Sequence, residues 1–273
     1  MIIPLAGGIV KMRILITNDD GFESDGIRAL VEELQQDHEL VLAAPYVQQS
    51  AKGHGVSFFS DLSGEKREYP GTKEAWAIRG TPADCAYLGI TCIMKDQAPD
   101  LIISGINHGA NVSLDNIYSG TVAAATEGMI LGCPSMAVSL DMFQHATLED
   151  FRPSAHIAHT LIQQYLDDPN CCSYTLSINV PVGTLEELKG YKITDFDPRR
   201  AYQRGVEMID QPDGSTVFHS TAFNCTVEGG TLPKTGDIAA LQQGYVSLTP
   251  IGIDWVDHLQ AEKMKAWKLS QAH

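Results

Sequence analysis

The sequence lacks any continuous apolar run of the ~18 residues that a membrane-spanning helix requires, so no membrane partner is expected. It also lacks an excess of positive charge. Nineteen lysines and arginines face 34 acidic residues, for a formal net charge of −15, which leaves no general basic surface for nucleic-acid phosphates or anionic lipid. Binding to a nucleic-acid polymer is therefore not expected, and an anionic ligand needs local help from a metal ion, a helix N-terminus or a few placed side chains. Cysteine is sparse. The six thiols (Cys85, Cys92, Cys133, Cys171, Cys172, Cys225) show no C-x-x-C spacing and fall short of a disulfide scaffold, which fits reduced core thiols in a cytoplasmic protein. Nothing near the adjacent Cys171 and Cys172 activates a thiolate. The opening "MIIPLAGGIVK" lacks a basic n-region and a small-x-small cleavage site, so no signal peptide is expected. Met12 offers a second start directly before the first strand, and residues 1–11 read as an extension outside the fold.

What is present is a chain of 273 residues with 44% apolar content, enough to bury a sizeable core. Apolar, β-rich runs alternate with helical patterns. "RILIT" (13–17) reads as a strand, and 24–36 as a helix capped by Ser24 with Ile27, Leu30, Val31 and Leu34 on one face. "ELVLAAP" (39–45) is a second strand, and "GVSFF" and "EAWAIRG" suggest an irregular hairpin. A helix over 81–94 opens with a cap, a proline and Asp84. "DLIIS" (100–104), a helix over 119–131, "PSMAVSL" (134–140), a helix over 154–166 and "YTLSINVP" (174–181) continue the series. Continuous apolar strands separated by helices predict an α/β fold, a doubly wound, Rossmann-like and mostly parallel sheet over residues 12–185. From 186 to 273 a β-rich extension with a terminal helix follows, expected to pack on the main domain or on a neighbouring subunit.

Ligands of open α/β sheets bind beyond the carboxyl ends of the strands, which selects the loops. The first strand ends in "NDDG", where Gly21 frees the backbone and Asp19 and Asp20 can converge. Two such carboxylates repel each other unless a cation lies between them, and oxygen ligands favour Mg²⁺ or Mn²⁺; a turn and capping cluster is the plainer alternative. After the second strand comes Ser50 in "APYVQQSAKGHG". After "DLIIS" come Asn107 and Asn111, which supply neutral oxygens or hydrogen bonds. Ser119, Gly120 and Thr121 then open a helix, where backbone N–H groups, the dipole and two hydroxyls suit a phosphate; ordinary capping is the alternative. His54 and His108 titrate near neutrality and are acid–base candidates, whereas Glu127 reads as a structural partner.

These residues resemble the SurE family, the stationary-phase survival protein nucleotidases. The matching blocks are "MRILITNDDGFESDGI" (12–27), "AAPYVQQSAKGH" (43–54), "GTPADCAYLG" (80–89), "PDLIISGINHGANVSLDNIYSGTVAAATEG" (99–128) and "GYVSLTPIGID" (244–254). The resemblance implies a metal-dependent phosphatase acting on nucleoside monophosphates, assembled as a homodimer or homotetramer through its C-terminal parts. It implies one divalent cation per subunit, Mg²⁺ or Mn²⁺, held by Asp19, Asp20, Ser50 and Asn107. It also places Asn111, Ser119, Gly120 and Thr121 in the phosphate-binding part of the pocket. Departures, among them Thr126 and "DFDPRRAYQRG" (195–205), lie outside the four metal positions. The expected reaction is direct attack of water on a phosphomonoester, with Asp19 and Asp20 at the centre and an aspartyl-phosphate route as the variant. Preference between 5′ and 3′ esters and activity on short polyphosphate stay open. The other classes weighed are a non-catalytic nucleotide-binding module and a receiver-like Mg²⁺-dependent switch, which also carries an acidic pair after strand one.

Overall fold

The computed structural model describes residues 10–57, 59–142, 144–197, 203–224 and 235–267. Most of the expected extension 1–11 lies outside them. In chain order the elements are β1 (Arg13–Thr17), α1 (Asp25–Leu34), β2 (Glu39–Pro45), β3 (Gly64–Arg67), β4 (Glu74–Ile78), α2 (Pro82–Leu88), β5 (Leu101–His108), α3 (Gly120–Ile130), β6 (Ser135–Asp141), α4 (Leu148–Leu166) and β7 (Thr175–Pro181). The C-terminal region adds β8 (Tyr191–Ile193), β9 (Gln203–Asp210), β10 (Thr216–Asn224), α5 (Asp237–Gln242), β11 (Val246–Ile251) and α6 (His258–Met264).

The nine-stranded main sheet runs β3-β4-β2-β1-β5-β6-β7-β11-β8. Its pairs are parallel except β3 with β4 and β11 with β7. The chain order reverses between β1 and β5, so the switch point of the sheet lies between their carboxyl ends. Alternate side chains of each strand serve opposite layers. Ile14 and Ile16 join a core with Leu30, Leu34, Ala158 and Leu161 from α1 and α4, while Leu15 joins Cys85, Ala86 and Ala124 from α2 and α3.

Local chemistry explains where the elements begin. Ser24 Oγ accepts from the Ile27 N–H and caps α1, whose buried stripe is Ile27, Leu30, Val31 and Leu34. Thr81 and Asp84 form the expected capping box of α2, with Pro82 at its first turn. Four expectations need correction. The helix over 81–94 is α-helical only to Leu88 and continues as a π-turn over 89–93. The partner of β4 is Gly64–Arg67 rather than "GVSFF". Strand β5 runs on to His108 through a bulge, because Gly105 takes φ +138° and any Cβ there would stand 2.3 Å from the Val138 carbonyl oxygen. Helix α4 starts at Leu148, ahead of Pro153: the N–H that proline lacks would have met a carbonyl of the exposed first turn, and Asp150 ties that turn to the Thr147 N–H at 2.8 Å.

The extension expected from residue 186 divides in two. Strands β8 and β11 complete the main sheet, with α5 packed against β11 and β7. Strands β9 and β10 instead form a separate antiparallel hairpin.

Candidate active site

Beyond Thr17 the chain is folded over by Asn18. Its Oδ1 accepts from the Gly21 N–H at 3.1 Å, and its Nδ2 donates to the Gly21 carbonyl at 3.1 Å and to Ser24 Oγ at 2.7 Å. Gly21 takes φ +103°, a conformation that glycine adopts without strain. The two aspartates that follow Asn18 then engage different neighbours.

Asp19 is only 4% exposed and lies against the start of α3. The Thr121 hydroxyl donates to Asp19 Oδ1. A Cβ at Gly120 would stand 2.7 Å from Asp19 Cβ and 2.9 Å from Oδ2, so the helix begins this close only with glycine. Burial, and after it the charge of Asp20, pushes the Asp19 carboxyl up to about 6, against the Thr121 hydroxyl and nearby backbone N–H groups. Asp20 accepts from the His108 N–H at 3.0 Å and from Gln48 Nε2 at 3.3 Å, which links the end of β5 to the loop after β2. Burial raises its pKa as well.

Asn107 lies just past the β5 bulge. Its Nδ2 donates to the Gly109 carbonyl at 2.7 Å, and its own side-chain oxygen takes part in no hydrogen bond among the described residues. Ser50 is exposed and likewise forms none, but its neighbour Gln49 donates its N–H to the Asp19 carbonyl at 2.7 Å. The buried Asp19 and the half-buried Asp20 thus lie at the β1/β5 switch point, where the backbone of the neighbours of Ser50 and Asn107, Gln49 and His108, bonds to them. The all-oxygen set of Asp19, Asp20, Ser50 and Asn107 fits a hard divalent cation, and no group of three or more His, Cys, Asp or Glu suited to a metal occurs among the described residues.

A family model described as Survival protein SurE matches residues 14–203. The chain belongs to the SurE family. It is 38% identical over 258 residues to a protein named 5'-nucleotidase SurE from Syntrophomonas wolfei, covering 93% of this chain and 94% of that one. It is 37% identical to one of the same name from Petrotoga mobilis, covering 94% and 99%. The crystal structure of the SurE protein from Aquifex aeolicus superposes with a TM-score of 0.78 at 33% identity, over 93% of this chain and 98% of that one.

Within this SurE fold the expected phosphate residues have unequal places. Ser119 Oγ caps α3 by accepting from the Val122 N–H at 3.1 Å, and the Thr121 hydroxyl is committed to Asp19, so both hydroxyls already have partners in the protein. What the helix start offers an anion is chiefly the positive end of its dipole. Asn111 is tied to β6 and β7: its N–H donates to Asn179 Oδ1 at 2.8 Å, its carbonyl accepts from Asn179 Nδ2 at 3.0 Å, and its side chain donates to Ser139 Oγ at 2.9 Å.

The two histidines are also engaged. His54 Nε2 meets Glu127 Oε2 at 2.8 Å, which ties the Ser50 loop to α3, and the Gly53 N–H reinforces the tie by donating to the Tyr118 carbonyl at 3.0 Å. His108 Nε2 donates to the Gln144 carbonyl at 2.5 Å. Sequence reasoning passed over Gln48, Ser139 and Asn179. The signal for the last two is a polar residue near the carboxyl end of an apolar strand, and the register places Asn107, Ser139 and Asn179 in one row across β5, β6 and β7.

Proposed function

We propose that the chain is a divalent-metal-dependent 5′-nucleotidase, hydrolysing nucleoside 5′-monophosphates to nucleoside and phosphate. The observation that carries this reading is the meeting of the acidic pair, Asn107 and the start of α3 at the switch point of a SurE fold, in a chain whose relatives are named 5'-nucleotidases. In this reading Asp19, Asp20, Ser50 and Asn107 hold one Mg²⁺ or Mn²⁺. When bound, such an ion supplies Lewis-acid polarisation of the phosphoryl oxygens and acidifies water.

The protein's own groups do the rest. Thr121 and Gly120 seat the Asp19 carboxylate, while the His108 N–H and Gln48 orient that of Asp20. The positive end of α3 offsets the charge that grows on the phosphoryl group, and Asn111 lines the phosphate side. A cavity of about 670 Å³ along α2 and α3, lined by His54, Val56, Asp61, Tyr87 and Glu127 among others, has the size and mixed character to receive the nucleoside; His54, four residues past Ser50, joins it to the proposed centre.

Residues 12–185 supply the chemistry in this proposal, and 186–273 serve packing and self-association as a dimer or tetramer. Support comes from the hairpin and α6 region, where Val206, Met208, Phe218, Trp255 and Leu259 are exposed. A cytoplasmic location is proposed from the free thiols Cys85, Cys92, Cys133, Cys171 and Cys172; no described helix is long and apolar enough to cross a membrane. Burial pushes the Cys133 thiol up to about 12 and raises Cys171, which makes neither a ready thiolate.

The test is phosphate release from 5′- and 3′-nucleotides and short polyphosphate with Mn²⁺, Mg²⁺ or EDTA. Metal-dependent release from 5′-monophosphates is expected, and undiminished activity in EDTA would contradict the metal assignment. The same panel settles the 3′ and polyphosphate activities.

A further inference from the structure

Between Asn107 and Ser119 the chain makes a long loop that ends in a 3₁₀ turn, Ser113–Tyr118, leading straight into α3. Ser113 opens that turn at φ +59°, a left-handed conformation that a serine adopts only when its surroundings impose it. They do so through Asp237, which lies 124 positions along the chain and is 1% exposed. Asp237 Oδ2 accepts from the Ser113 N–H at 2.6 Å, while Oδ1 accepts from the N–H groups of Asp197 at 3.1 Å and Ile238 at 2.8 Å. Ser113 Oγ closes the ring by donating to the Asp197 carbonyl at 2.5 Å. Ala110 and Val112 pack on Ile238 and Leu241 beside it.

A buried carboxylate with no ion pair among the described residues is costly to keep, and here both of its oxygens are used by backbone donors from three separate segments. An amide cannot replace it. Its one oxygen could keep the Oδ1 bonds, but its NH₂ would then face the Ser113 N–H, donor against donor. The Ser113 tie is what makes Asp237 irreplaceable.

We infer that Asp237 is a positioning residue for the phosphate side of the site, setting the 113–118 turn and through it the start of α3. The inference rests on the phosphatase reading. It separates two parts of the centre: Asp20 and Asn107 are placed by β1 and β5, and Asp19 by β1 with the start of α3, whereas the approach to Ser119 is placed from the C-terminal region.

The experiment compares the full-length protein with its Asp237→Asn variant. The KM for a nucleoside 5′-monophosphate and the Ki of inorganic phosphate are expected to rise together by about tenfold, the effect of losing one charge-assisted hydrogen bond, with kcat within about twofold. Mn²⁺ affinity measured by calorimetry is expected to fall by less than about threefold, because only Asp19 of the proposed ligands touches the start of α3. A folded variant with unchanged KM and Ki, or with Mn²⁺ affinity falling in parallel, overturns the inference. If Asp237→Asn does not fold, Ser113→Ala, which removes only the hydroxyl bond to Asp197, must raise the same two constants about threefold, and no rise overturns it. Absence of nucleotide hydrolysis by the unaltered protein counts instead against the phosphatase reading. Phosphate affinity, measured directly by calorimetry, then decides for Asp237, and equal or undetectable binding in both proteins overturns its role.

Discussion

At the scale of single residues, Asp19 and Asp20 sit in conflict with stability. Both carboxyls are raised by burial, and Asp20 raises Asp19 further, so the protein without a cation holds two charges that disfavour each other. Asp20→Asn is expected to lower nucleotide turnover by about 10²-fold or more while raising the melting temperature of the metal-free protein, since a site built for function is relieved of strain. Calorimetry with a phosphate-release assay checks both signs. Gly120→Ala is expected to act the other way on stability: its Cβ would stand 2.7 Å from that of Asp19, costing about 1–3 kcal/mol and displacing a proposed ligand. Thermal denaturation and turnover should fall together. The acidic pair was legible because an amide, two carboxylates and a glycine at the end of an apolar strand have few other uses. The partnership of Asn111 with Asn179, 68 residues away, and that of Ser113 with Asp237 were not, since nothing local marks which distant donor meets which acceptor.

At the scale of elements, the packing of α1 on α4 contains a titratable cluster. His38 is buried beside His159, with ring centroids 5.6 Å apart, and its Nδ1 accepts from the Met12 N–H at 3.4 Å. Glu33 Oε1 meets His156 Nδ1 at 3.0 Å and His159 Nδ1 at 3.1 Å, and Asp37 Oδ2 lies 3.5 Å from His159 Nε2. Burial, and then the charge of His159, hold the His38 pKa below its usual 6.5, while hydrogen bonds from His159 and His156 hold Glu33 below 4.5. For both groups the unfolded chain binds protons more readily. The stability each contributes is therefore complete above its unfolded value and is lost as pH falls, first below 6.5 for His38 and then below 4.5 for Glu33. Melting temperature is expected to drop from pH 7.5 to 5.5, and His38→Asn is expected to flatten that limb. The strand and helix order itself was legible from periodicity and caps. The β5 bulge and the early start of α4 were not, because a glycine inside a strand and a proline inside a helix both read as terminators when tertiary context is hidden.

At the scale of the whole molecule, a doubly wound sheet brings β1 and β5 side by side and gathers residues from three loops, while the C-terminal region both completes the sheet and extends beyond it. The hairpin has Met208 at 69% and Phe218 at 63% exposure, which fits a surface covered by a second copy. A Met208→Glu, Phe218→Glu double variant is expected to elute as a smaller species in size-exclusion chromatography with light scattering, with unchanged far-ultraviolet circular dichroism. An unchanged mass would contradict the proposed self-association through this hairpin. The alternation of strands and helices was visible in the sequence, but the membership of β8 and β11 in the main sheet was not, since each is short and separated from its neighbour by a long excursion.

The central claim is that Asp19, Asp20 and Asn107 form a cation-dependent phosphatase centre. Its most direct test is Mn²⁺-dependent release of phosphate from a nucleoside 5′-monophosphate, measured side by side for the unaltered protein and Asn107→Ala. Turnover is expected to be abolished by EDTA, restored by Mn²⁺, and lowered about 10²-fold in the variant, together with weaker Mn²⁺ binding. Full turnover in EDTA, or an Asn107→Ala protein as active as its parent, would contradict it.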